Sequence, residues 1–192
     1  HRLMFFEGPA DVRDTGFLTY DYDDSSRDDD QWLYLPALKK TKRIATADKS
    51  GSFMGSDFSY ADQTKPDLTD YDYELVKEDE VRGAKVWIVM ATPRTQAIID
   101  EYGYTKSALF VRQDNHVVVR AKRWLVDGGR EKYMDVVDLR QIDGIWTNLE
   151  ITMTTKRGKE TESKTILKQS EVSYGNALDP DLFTIRRLEK GL

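Results

Sequence analysis

The sequence predicts a mainly β protein built on one large, strongly curved antiparallel sheet. Three observations lead there. Turn signals recur along the second half of the chain at Gly83, Gly128-Gly129, Gly144 and Gly158, where glycine supplies the positive φ that tight hairpins need. Ile145 to Thr155 alternates, with Ile145, Leu149, Ile151 and Met153 on one face and Trp146, Asn148, Glu150, Thr152 and Thr154 on the other. That is the period of a half-buried strand. Two of the strands, His116 to Val126 and Ile145 to Thr155, run to about 11 residues, roughly twice the usual length. Consecutive hairpin strands this long either close into a barrel or curl around something.

The elements follow in order. Leu3-Met4-Phe5-Phe6 is a short apolar strand ended by Gly8-Pro9, and Phe17 to Asp23 is a second, with Leu18, Tyr20 and Tyr22 on one face. Trp32 to Leu35 and Lys39 to Ala45 are separated by Pro36, which has no N–H to give to a ladder. Residues 46 to 70 form a long connection with one short helix near Ser56 to Asp62. Tyr71 to Val76 and Lys85 to Ala91 flank Gly83, and residues 94 to 103 form either a helical turn or part of a hairpin loop. Ser107 to Arg112 pairs with His116 to Val126 across Gln113-Asp114-Asn115, and Asp127-Gly128-Gly129 leads into Glu131 to Leu139. Asp143-Gly144 and Gly158 then turn the chain through Ile145 to Thr155 and into Glu160 to Val172. A closing element, Asp181 to Leu188, places Leu182, Phe183, Ile185 and Leu188 at near-helical spacing.

The long connection holds the least expected residues. Phe53, Met54, Phe58 and Tyr60 sit among Gly51, Ser52, Gly55, Ser56 and Asp57. Large apolar side chains on a polar loop cover either their own core or a ligand. On composition alone the two readings stand level.

Bulk properties exclude several classes. At 192 residues the chain fits one domain with a sizeable core. Hydrophobic residues make up 39% and charged residues 33%, and no apolar run approaches the roughly 20 residues that span a bilayer. A net charge of −5 argues against nucleic acid, which needs a concentrated basic face. The absence of cysteine excludes disulfides, zinc-thiolate sites and cysteine nucleophiles. The first residue is His1, already inside a strand, so the reading is a processed or trimmed chain.

Asp21, Asp23, Asp24, Asp28, Asp29 and Asp30 flank Ser25-Ser26-Arg27. The spacing does not match a calcium loop, and a solvated hairpin tip that discourages edge pairing is the better reading. The only histidines are His1 and His116, the latter at a turn, and no nucleophile elbow, zinc helix motif or phosphate loop occurs. The expectation is therefore no enzyme, no metal and no cofactor. Of the tryptophans, Trp87 reads as core, while Trp124 and Trp146 read as outer-surface residues shielded by Lys and Arg stems.

Gln31 to Asp62 carries a longer signature: WLYLPALKK, then Arg43-Ile44, then Lys49 and GSFMGSDFSY. It resembles the LolA-like outer-membrane lipoprotein-sorting proteins. The upstream MFFEGPADVRDTGFLTYDYDD and the downstream YGYTKSALFVRQDN fit the same branch, so the resemblance spans nearly the whole chain. It implies an unclosed barrel of LolA/LolB type, with a few short helices covering an apolar cavity. It also implies a single domain over 1–192, lacking an N-terminal helix and first strands, and a periplasmic location. The function implied is a carrier or chaperone that binds lipoprotein acyl chains or another lipid-like amphiphile for transport toward the outer membrane. The alternative is a non-enzymatic interaction module, an accessory partner of an RND-type membrane transporter.

Carrying an acyl chain sets its own physical demand. At ~0.8 kcal/mol per buried CH₂, about twelve methylenes gain roughly 10 kcal/mol in a dry pocket, so the site should be apolar. The strand candidates are Met4, Phe6, Leu33, Leu35 and Phe110, followed by Val119, Ala121, Leu149, Ile151 and Met153. A register slip of one residue would invert any strand's contribution. The resemblance makes Phe53, Met54 and Phe58 the underside of a movable cover, hinged at the flanking glycines and serines.

Overall fold

The strands divide into two antiparallel sheets where the sequence suggests one. The computed structural model describes residues 1–24 and 27–191. Ser25 and Ser26, in the middle of the acidic run in sequence, lie outside the described residues. In the first sheet β1 (Arg2–Phe5), β2 (Gly16–Tyr20), β3 (Asp30–Leu35) and β4 (Lys40–Arg43) pair in chain order. The second is a seven-stranded meander of β5 (Tyr71–Val81), β6 (Ala84–Pro93), β7 (Tyr104–Arg112), β8 (Val118–Leu125), β9 (Arg130–Ile142), β10 (Ile145–Arg157) and β11 (Glu160–Lys168). The fold is mainly β, with 50% strand, few short helices and a sheet that is not closed.

The small sheet is covered on both faces. The sequence predicts β2 as a one-sided strand, yet Phe17 and Leu18 are both fully buried. The reason lies at the C-terminus. A closing helix over Asp181 to Leu188 is interrupted at Thr184, whose backbone is extended. What forms instead is a 3-10 turn, Pro180–Phe183, and α2 (Ile185–Lys190), capped by the Thr184 hydroxyl accepting from the Arg187 N–H at 3.1 Å. These lie on the Gly16, Leu18 and Tyr20 face: the Tyr20 hydroxyl donates to the Phe183 carbonyl. A Cβ on Gly16 would stand 2.6 Å from Leu188 Cδ1, so only glycine admits α2 at that distance. Phe17 and Thr19 point the other way, toward the loop between the sheets.

The large sheet curls on itself. Arg82, in the turn after β5, donates to the Val136 carbonyl at 2.9 Å and pairs with Asp135, both on β9. Two strands, β7 and β8, separate β6 from β9, so the contact requires strong curvature. Inside the curl Val81, Val86, Val119 and Val136 are buried against Phe110, Met134 and Ile151. Strand β5 runs five residues beyond the expected end at Val76, past a bulge between Leu75 and Lys77. Its Lys77 to Glu80 stretch shows no alternation because an edge strand exposed on both faces imposes no apolar pattern. The open question at residues 94 to 103 resolves as α1 (Gln96–Tyr102), capped by Thr95 and stopped by Gly103 at φ 75.

Candidate functional site

Residues 49 to 64 lie between the two sheets and hold both. In place of the expected helix, Ser52 and Ser59 form a bridge that pinches the chain into a tight hairpin, with Met54 and Gly55 at its turn in positive φ. The Phe53 N–H donates to the Phe58 carbonyl at 2.8 Å, and the Ala61 N–H to Lys49 at 2.8 Å. Ser59 and Asp62 cap each other reciprocally, each backbone N–H donating to the other's side chain. At the start of the loop the Lys49 ammonium, 1% exposed, pairs with Glu101 of α1 at 2.6 Å.

The loop's apolar side faces the small sheet. The Phe53 ring lies 4.9 Å from Phe17, 5.4 Å from Tyr60 and 5.9 Å from Phe6. Met4, Phe6, Leu35, Met54 and Phe58 pack around Phe17, Leu33, Ile44 and Phe53. The loop's ionic side faces the large sheet. Asp57 accepts from the hydroxyls of Thr155 at 2.5 Å, Thr165 at 2.8 Å and Ser163. Asp62 accepts from the Arg123 guanidinium at 2.5 Å and from the Tyr104 hydroxyl at 2.9 Å. Burial pushes both carboxyls up, but the hydroxyl donors at Asp57 and the Arg123 charge at Asp62 outweigh it, and both end below the ordinary carboxylate range. These contacts give the segment expected as a hinged cover a packed underside and an anchored outer side. Phe53 belongs to the small sheet's core, and the loop is a partition pinned from both sides.

The register of the large sheet shows what the partition faces. One row of cross-strand partners runs Leu75, Val89, Leu109, Ala121, Met134, Met153 from β5 to β10. The next row runs Tyr73, Ala91, Ser107, Arg123, Lys132, Thr155. Asp57 and Asp62 dock on the polar half of the second row. The first row is apolar throughout, from Leu75 at 62% exposure on the edge to Met153 at 1%.

A cavity of about 110 Å³ opens where the two rows meet the end of the loop. Ala91 and Leu109 form its sheet side, Pro66 and Thr64 its loop side, and Tyr71, Tyr73 and Tyr102 its walls, with the Asp62–Arg123 pair at the inner end. Burial pushes the phenols of Tyr71 and Tyr102 well up, so both stay neutral. Past Pro66 and Tyr102 it adjoins a larger groove of about 540 Å³ with acidic walls.

The thirteen residues proposed from the sequence do not converge on one cavity. Seven of them (Met4, Phe6, Leu33, Leu35, Phe53, Met54, Phe58) form the core beneath the small sheet. Phe110, Val119 and Ile151 join the core of the large sheet. Phe110 pairs with Arg120, whose guanidinium lies 5.9 Å over its ring, on the opposite face from pocket-lining Leu109. Leu149 is skipped in the β9–β10 register, a bulge residue, while Ala121 lies within the apolar row and Met153 ends it. Sequence reasoning missed the pocket tyrosines, although Tyr71-Asp-Tyr73 and Tyr102-Gly-Tyr104 are visible pairs.

The tryptophans and His116 are also placed. Trp124 lies beneath Lys106 and Lys122 at 4.7 and 4.6 Å, and Trp146 beneath Arg112 at 5.4 Å. Trp87, expected in the core, is only half-buried and stacks on exposed His116 at 6.0 Å.

Comparison with known proteins adds to this geometry. A family model described as "Uncharacterized protein" matches residues 1–190. No curated protein matches. Among solved structures, a DUF1329 family protein from Desulfovibrio piger is 33% identical, with a TM-score of 0.86 over 97% of this chain and 75% of that one. An outer membrane lipoprotein-sorting protein domain from Vibrio parahaemolyticus is 27% identical, with a TM-score of 0.77 over 97% and 76%. A LolA superfamily protein from Nitrosomonas europaea, 17% identical, shares the fold with a TM-score of 0.69 over 96% and 76%. The chain belongs to the DUF1329 family and has a LolA-like fold.

Proposed function

We propose that this protein is a non-enzymatic carrier that binds the acyl chain of a lipid-like amphiphile in the periplasm and moves it toward the outer membrane. The observation that carries this reading is the apolar row from Leu75 to Met153, continuous across six strands and flanked by a cavity. The buried end of the row packs as core, but its exposed end at Leu75 leaves apolar surface uncovered for a ligand. The description of the Vibrio parahaemolyticus relative as a lipoprotein-sorting domain supports the same reading.

A cavity of about 110 Å³ is smaller than the ~150 Å³ that holds a benzene, so a whole acyl chain needs more room. We infer that such room opens only if the loop shifts away from Ala121, Met134 and Met153, which are now packed beneath it. Admitting the chain means shifting Asp57 off Thr155, Ser163 and Thr165 against those charge-assisted bonds. The polar contacts thus set how readily the cavity enlarges, and the apolar row supplies the affinity.

Native mass spectrometry of protein purified gently from its source tests the reading. Co-purified lipid, displaceable by a fluorescent fatty-acid probe, is the expected result. Absence of lipid together with failure to bind the probe would overturn it. A second reading, docking to an RND-type membrane transporter, draws on the unpaired edge strand β5, where Tyr73, Leu75 and Val76 are exposed. A stable transporter complex isolated without lipid is the outcome that would favour it.

A further inference from the structure

We propose that the cavity beside the apolar row is an aromatic cage for a cationic ammonium head group, so that the amphiphile carried is an amine or quaternary ammonium rather than a carboxylate. This rests on the carrier reading for the tail and adds the head. Tyr71 stands at the centre of the cage. Its ring centroid is 6.2 Å from that of Tyr73, tilted by 39°, and 6.3 Å from that of Tyr102, at 75°. Three rings set at angles line one small cavity, and aromatic rings grouped around one point are the arrangement that attracts an ammonium group. The cavity, at about 110 Å³, suits a compact head group.

The charges around the cage have the matching sign. The adjoining groove shares Pro66 and Tyr102 with the cage. Among the described residues its walls carry seven carboxylates, Asp70 next to Tyr71 in sequence and Glu101 already paired with Lys49 at 2.6 Å, against two cations, Arg27 and Lys65. Lys65 is itself paired with Asp23 at 3.0 Å, and Arg94, beyond the rim, with Asp72 at 2.8 Å. At the inner end Arg123 is paired with Asp62, and Lys132 stands 5.7 Å over the Tyr104 ring. The Arg123 guanidinium lies 5.0 Å over the same ring, so that fourth ring is already occupied. On the sheet side Ala91 and Leu109 lead onto the apolar row, which places the tail opposite the acidic groove.

Calorimetric titration of the full chain with dodecyltrimethylammonium and with dodecanoate, both below micelle formation, tests the proposal. The ammonium amphiphile should bind about tenfold more tightly than the carboxylate. Tyr73 is exposed on an edge strand, so Tyr73→Leu and Tyr73→Phe should both fold. The Leu variant should remove about fivefold of ammonium affinity, the Phe variant less than about twofold, and neither should change dodecanoate binding. Dodecanoate binding as tightly as the ammonium, or Leu and Phe variants behaving alike, would overturn the cage and leave the carrier reading standing. If neither amphiphile binds, the carrier reading fails, and tetramethylammonium alone decides for the cage. Ring-proton shifts confined to Tyr71, Tyr73 and Tyr102 would support it, and their absence would overturn it.

Discussion

The two sheets meet one loop in opposite ways. Beneath the small sheet the loop contributes Phe53, Met54 and Phe58, and the hollow is filled by the chain's own side chains. Against the large sheet it contributes Asp57 and Asp62, which bind a polar row and leave an apolar one beside it. Apolar packing is nondirectional and fills whatever space it can, so the first contact leaves no room for a ligand. Charge-assisted hydrogen bonds are directional and hold two surfaces at a fixed spacing, so the second contact can border a cavity. One segment of the sequence thereby fixes one half of the molecule and keeps the other half adaptable.

The largest expected effect is on the filled half. Phe53→Ala should lower stability by about 3–5 kcal/mol in urea denaturation, since the ring is 9% exposed and touches three other aromatics. A loss below about 1 kcal/mol would mean that the segment is a loosely held cover after all.

Much of this architecture was legible in the sequence, and the unread parts share a cause. The hairpin glycines at 83, 128, 144 and 158 sit at the turns of the large sheet, because positive φ is a local demand that a single residue type meets. The shift from one sheet to two was not legible. It depends on residues 46 to 70, where three 3-10 turns, Thr46–Asp48, Ala61–Gln63 and Leu68–Asp70, leave no periodic signal. From the sequence the loop's aromatics cover either their own core or a ligand, and they pack into the core beneath the small sheet. Which sheet they cover depends on the hydroxyls of Thr155, Ser163 and Thr165, about 100 residues away. Phe110 shows the limit of alternation: the β7–β8 register shifts between Phe110 and Val111, and a bulge cannot be counted from the sequence. The cage tyrosines went unread because each pair is ordinary, and only the β5–α1 juxtaposition makes them a site.

A smaller effect belongs to the ionic half and depends on pH. Asp57 and Asp62 titrate in the folded state below their ordinary value of 3.8. The unfolded chain therefore binds more protons in that range, and their contribution is complete above pH 3.8 and lost as pH falls through the lowered values. Asp29 and Asp70 are raised by burial and act in the opposite sense. Single variants separate these terms: Asp57→Asn should be less stable than the parent at pH 6, and its melting temperature should fall less on moving to pH 3. Parallel melting curves for parent and variant across that interval would show that Asp57 holds the loop without its charge.

The smallest effect on stability should accompany a clear effect on binding, at the exposed end of the apolar row. Leu75 is 62% exposed on an edge strand, so Leu75→Ser removes little buried area and should change stability by no more than about 0.5 kcal/mol. A bound acyl chain would cover that side chain. At ~0.8 kcal/mol per CH₂ taken out of water, losing one or two methylene contacts should weaken a fluorescent fatty-acid probe by roughly fourfold to fifteenfold. Leu38, equally exposed at 63% but next to the small sheet, provides the control. Leu38→Ser should leave probe affinity unchanged, because the hollow on that side is already full. If the two variants weaken the probe alike, the ligand is held by scattered surface contacts. If only Leu75→Ser does so, the open row of the large sheet is where the chain lies, and the difference between the two sheets is functional.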